Sequence, residues 1–71
     1  MSLREAWVAL TVAAQAKGLE CGIRALRDGT GYVWSSRTGG EPDHIYLDSP
    51  FRTLLDLERA IDRTTAKVKA L

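Results

Sequence analysis

The spacing of apolar positions changes period along the chain, and each period predicts an element. Leu3, Ala6, Trp7, Leu10, Ala13 and Ala14 recur three or four apart, the signature of one helix face. Ser2 and Glu5 stand at capping-box spacing before them, and Gly18 sits where a left-handed residue ends a helix. A helix over residues 3–17 follows. A second apolar strip, Val8, Val12 and Ala16, lies on nearly the opposite side of that helix. A helix apolar almost all round is normally covered on two sides. The strip is therefore a candidate oligomer interface, against the plainer reading of a few exposed small residues.

From residue 19 the period shortens to two. Cys21, Ile23 and Ala25 alternate with Glu20, Gly22 and Arg24. Tyr32, Val33 and Trp34 have strand character after a turn at Asp28-Gly29-Thr30-Gly31, whose glycines suit a tight reversal. A β-hairpin is expected, with strands over 19–27 and 32–38. Leu26 breaks the alternation, and Gly22 inside a strand marks a bulge or a close backbone approach. A loop over 39–43 leads to a third strand, 44–48, in which Ile45 and Leu47 point one way and His44, Tyr46 and Asp48 the other. Ser49 and Pro50 read as N-cap and first position of a last helix over 50–70. Its seam is Leu54, Leu57, Ile61, Thr64, Val68 and Leu71, widened by Phe51 and Leu55. The expected fold is α+β: one small domain, α-β-β-β-α, a three-stranded antiparallel sheet with two helices on one face.

Seventy-one residues allow one domain with a thin core. A single Cys excludes an internal disulfide, and one His with one Cys builds no zinc site. Association, as a homodimer or with a tight partner, is then the expected stabiliser. A net charge of +1 does not describe a general nucleic-acid binder. No signal-peptide or membrane-span pattern occurs, so a cytoplasmic protein with a reduced Cys21 is expected.

The motifs carry little chemistry. His44 has Asp43 and Asp48 near it but no second histidine and no nucleophile beside it. Cys21 alternates with apolar residues like a small buried hydrophobe. The glycine-rich turn lacks a Gly-Lys-Ser/Thr ending and leads into no helix. No enzyme, no metal and no cofactor are expected. The element order is shared with the double-stranded-RNA-binding domain. The start of the last helix, however, reads Asp48-Ser49-Pro50-Phe51-Arg52, without that domain's lysine cluster. Order alone does not carry function.

Function then depends on which sheet face is covered. If Cys21, Ile23, Ala25, Val33, Ile45 and Leu47 face the helices, the other face carries Arg24, Tyr32, Trp34, Tyr46 and His44, with Arg37 near. Tyr, Trp and Arg are the types that interfaces enrich. In the competing assignment Tyr32 and Trp34 fill the core and Val33 lies outside. The first assignment implies a small binding protein that acts by stoichiometric occupation of a macromolecular partner. Phages and mobile elements encode compact chains of this kind against host machinery, anti-CRISPR proteins among them. The alternatives are a nucleic-acid module using the aromatic and arginine face, and a homo-oligomeric structural or regulatory protein.

Overall fold

The computed structural model describes residues 2–38 and 44–71; the expected loop over 39–43 lies outside them. The first helix, α1, is Leu3–Ala16. The Ser2 hydroxyl accepts from the Glu5 amide at 3.2 Å. It also donates to the Glu5 carboxylate at 3.0 Å, so that carboxylate takes the hydroxyl proton rather than reaching the Ser2 amide. At the other end Gly18 has φ +71°, and the Leu19 amide donates to the Ala14 carbonyl at 2.8 Å. This left-handed termination satisfies the last carbonyls and turns the chain into the sheet.

Strands β1 (Glu20–Ala25) and β2 (Gly31–Arg37) pair antiparallel. In the turn between them the Gly29 amide donates to the Leu26 carbonyl, and the Leu26 amide donates to the Thr30 carbonyl. Gly29, with φ +88°, supplies the left-handed residue that a three-residue hairpin loop requires. Leu26 belongs to this turn, which is why it broke the alternation. Gly31 has ordinary φ and is glycine for a different reason. A Cβ there would meet the Arg24 carbonyl oxygen and lie 2.6 Å from the Phe51 ring.

The end of the sheet departs from expectation. The third strand, β3, is Ile45–Phe51, and it carries Ser49 and Pro50 inside it. Neither residue caps a helix. A 3₁₀ turn follows at Leu54–Asp56, and the last helix, α2, is Leu57–Lys69, not 50–70. The physical reason lies in the register. Phe51 pairs with Gly31 across the strands and is buried, so extending β3 seats its ring in the space that Gly31 leaves. Pro50 tolerates the strand because β3 is an edge, where its missing N–H costs no ladder bond. In consequence Leu54 and Leu55, expected in the helical seam, are 74% and 91% exposed, and Leu71 and Leu3 are exposed as well.

The strand order is β1-β2-β3. Both helices pack on one face, over a core of Ala6, Leu10, Val33, Phe51, Ile61 and Val68 among others. The thinnest dimension of the backbone, 15 Å, is that of one sheet layer and one helix layer. The two sheet edges differ. On β3 the Asp48 carbonyl accepts from the Lys67 ammonium, and the Pro50 carbonyl accepts from Arg63 at 2.7 Å. Charge and proline blunt a strand edge. β1 contains no proline, and its charged residues are Glu20 and Arg24.

Candidate binding face

Strand pairing sorts the sheet residues onto two sides. Cross-strand rows Cys21–Ser35–Leu47, Ile23–Val33–Ser49 and Ala25–Gly31–Phe51 face the helices. Val33, Ser35, Ser49 and Phe51 are buried there, and Cys21, Ile45 and Leu47 pack against the core. The rows Glu20–Ser36–Tyr46, Gly22–Trp34–Asp48 and Arg24–Tyr32–Pro50 point away from the helices. The aromatic residues of the sheet, Phe51 excepted, therefore stand on the uncovered side, and Val33 is in the core.

Gly22 makes that side flat. A Cβ on it would lie 2.5 Å from Trp34 Cζ2 and 2.6 Å from Cε2, so the indole lies directly over the Gly22 backbone. This close approach is what a glycine within the strand was expected to signal. Arg24, Tyr32, Trp34, Ser36 and Tyr46 together line a shallow recess of about 330 Å³. Burial among these neighbours pushes the Tyr46 phenol above its ordinary pKa. The negative charges available on Tyr32 and Asp48 add to this, and Arg24 opposes it. Tyr46 is still 49% exposed. The face is thus an amphipathic platform: rings for apolar contact, hydroxyls and one guanidinium for directional bonds.

One of the expected site residues stands apart. Arg37 pairs with Ile45 and shares the parity of Val33 and Ser35, on the helix side; its guanidinium lies beside Gly18. His44 is exposed just before β3, two residues ahead of Tyr46. Cys21 is half-buried on the helix side, its sulfur 4.0 Å from the Thr11 hydroxyl. Among the described residues no group of three or more His, Cys, Asp or Glu is placed to hold a metal ion. No helix of the described chain is long and apolar enough to cross a membrane.

On the far side of the molecule Val8 and Val12 are 52% and 61% exposed, and Ala16 is exposed too. Val12 and Ala16 border an apolar groove of about 480 Å³ with Ala9 and Ala13, rimmed by Lys17 and Lys69. A third recess went unread in the sequence. Pro50, Phe51, Arg52, Asp56, Arg59 and Arg63 enclose about 270 Å³ where β3, the 3₁₀ turn and α2 meet. In the sequence Arg52, Asp56, Arg59 and Arg63 stand four, three and four apart, a spacing that also describes a solvated helix face.

Comparison with known proteins returns no match: no family model fits the chain, and no curated protein or solved structure is similar to it.

Proposed function

We propose that this is a non-enzymatic binding protein that occupies a protein partner stoichiometrically through the outer face of its sheet. The observation that carries this reading is the placement of Tyr32, Trp34 and Tyr46. The chain has five aromatic residues in all (two Trp, two Tyr and one Phe), and three of them stand on the side no helix covers. Fully burying a large apolar side chain is worth about 1.5–3 kcal/mol, a large sum for a domain with a thin core. Tyr46 is 49% exposed, and Tyr32 and Trp34 are half-buried with no helix over them, so the fold forgoes part of that gain on this face, as a recognition surface requires. An inhibitor acting by occupancy, in the manner of anti-CRISPR proteins, is one form of such a binder. A homodimer through Val8 and Val12 is compatible with it, because that strip lies on the opposite side.

A nucleic-acid reading draws on Arg24 beside Tyr32, where a base could stack with its phosphate near the guanidinium. Glu20 and Asp48 share the face and repel a phosphate backbone, and Arg37 is turned away from it.

The test is capture from a native-host lysate by the immobilised full chain, with and without nuclease. One stoichiometric protein that survives nuclease and is lost with Trp34→Ala and with Tyr46→Ala supports the reading. Circular dichroism checks that each variant is folded; exposed Tyr46 serves as the control should Trp34→Ala unfold. Capture unchanged by both variants would remove the sheet face from consideration. Capture that collapses with nuclease transfers the face to nucleic acid.

A further inference from the structure

The recess between β3 and α2 adjoins the aromatic face. Its wall residue Pro50 is the cross-strand partner of Tyr32, so the recess continues the row Arg24–Tyr32–Pro50 around the sheet edge. Three guanidinium groups, Arg52, Arg59 and Arg63, line it with one carboxylate, Asp56. Three positive charges less one negative leave +2 in that recess, in a chain whose total is +1. The Arg63 side chain is held by its bond to the Pro50 carbonyl, so part of the positive charge is fixed in place before any ligand arrives. Arg52 and Asp56 bracket the turn that carries Leu54 and Leu55, the two most exposed of the large apolar side chains.

We propose that this recess binds the carboxylates of an acidic protein segment whose apolar side chains cover Leu54 and Leu55. The proposal rests on the sheet-face reading and names the chemistry of the same partner where it passes the Tyr32 end of the platform. Planar guanidinium forks match carboxylates in a bidentate geometry, and a recess with several of them selects negative charge. On the sheet face Arg24 shares the row of Pro50, with Asp48 one row away and Glu20 two rows away. A phosphodiester strand along the face would carry like charge past those two carboxylates and leave the two leucines uncovered. A peptide alternating acidic and apolar side chains meets both demands.

The test uses the full chain labelled with nitrogen-15. It is titrated with a capped hexapeptide alternating glutamate and leucine, its glutamine–leucine counterpart, inorganic phosphate, and single-stranded oligothymidylate. The readouts are the side-chain Nε–Hε signals of Arg52, Arg59 and Arg63 and the indole N–H of Trp34. The glutamate peptide is expected to move the arginine signals and the glutamine peptide to leave them in place. Arg59→Glu should weaken the glutamate peptide about tenfold; Arg59→Gln replaces it should the charge reversal disturb the fold. Silence of the arginine signals toward the glutamate peptide overturns the proposal. So does a response to phosphate or oligothymidylate at lower concentration than the glutamate peptide needs. The two readings fail separately. Lysate capture that depends on Trp34 and Tyr46 but is unaffected by Arg59→Glu overturns the recess and leaves the platform. Capture indifferent to Tyr46→Ala, with the arginine response intact, overturns the platform and keeps the recess as a carboxylate site.

Discussion

Ser49, the cross-strand partner of Val33, is fully buried, and among the described residues its hydroxyl finds no hydrogen-bond partner. Ser35, equally buried, donates to the Glu20 carbonyl at 2.8 Å, and Thr64 donates to the Ala60 carbonyl at 2.9 Å. The unsatisfied hydroxyl costs part of its desolvation energy. Ser49→Ala is therefore expected to raise stability by about 1 kcal/mol in urea unfolding, the opposite of most core truncations. Gly31→Ala should do the reverse and cost about 2–3 kcal/mol, because its methyl group would be driven against the Arg24 carbonyl and the Phe51 ring. Ionisation adds one more expectation. Tyr46 holds its proton more tightly folded than unfolded, so its contribution is complete below the ordinary tyrosine pKa and is lost as pH rises through the folded value. Tyr46→Phe should flatten the alkaline limb of a stability–pH curve above about pH 10. At this scale the sequence was partly legible. Gly18 and Gly29 announced left-handed turns, because positive φ belongs to the chain locally. The need for glycine at 31 comes from the Arg24 carbonyl across the hairpin and from Phe51, twenty positions away, and the second contact has no local pattern.

Element boundaries show where local signals lose to packing. Ser-Pro ahead of a helical spacing is a sound start signal, yet Ser49 and Pro50 lie within β3. Their competitor is the burial of Phe51 against the sheet, which the strand reaches only by running on past Pro50. Once the helix starts at Leu57, Leu54 and Leu55 fall off its buried stripe, while Leu57, Ile61, Thr64 and Val68 remain on it. The combined change Leu54→Ser and Leu55→Ser should alter stability by less than about 1 kcal/mol. Leu57→Ala should cost about 2–4 kcal/mol in the same denaturant series. A comparable loss on the double serine variant would mean that the 3₁₀ turn is covered in solution.

For the molecule as a whole, alternation along three short strands was enough to put Tyr32, Trp34 and Tyr46 on one side and Val33 on the other. Ile45 and Leu47 decided it, since an aliphatic pair on one side of a short strand commits that side to the helices. Arg37 was grouped with the platform by charge, although its parity with Val33 sends it the other way. The arginine recess escaped notice because a strand end, a turn and a helix contribute to it, and only tertiary packing joins them.

The unequal edges of the sheet bear on assembly. A second chain adding its β1 alongside this one would place β3 at both ends of the joined sheet, and there Lys67, Arg63 and Pro50 already occupy or remove the groups another strand would need. In polymer terms such pairing would make each molecule monofunctional, with one end to couple, and coupling two of them would terminate growth. Strand pairing of this protein would stop at pairs and would not propagate into fibres, and light scattering of a concentrated sample should level off at twice the monomer mass.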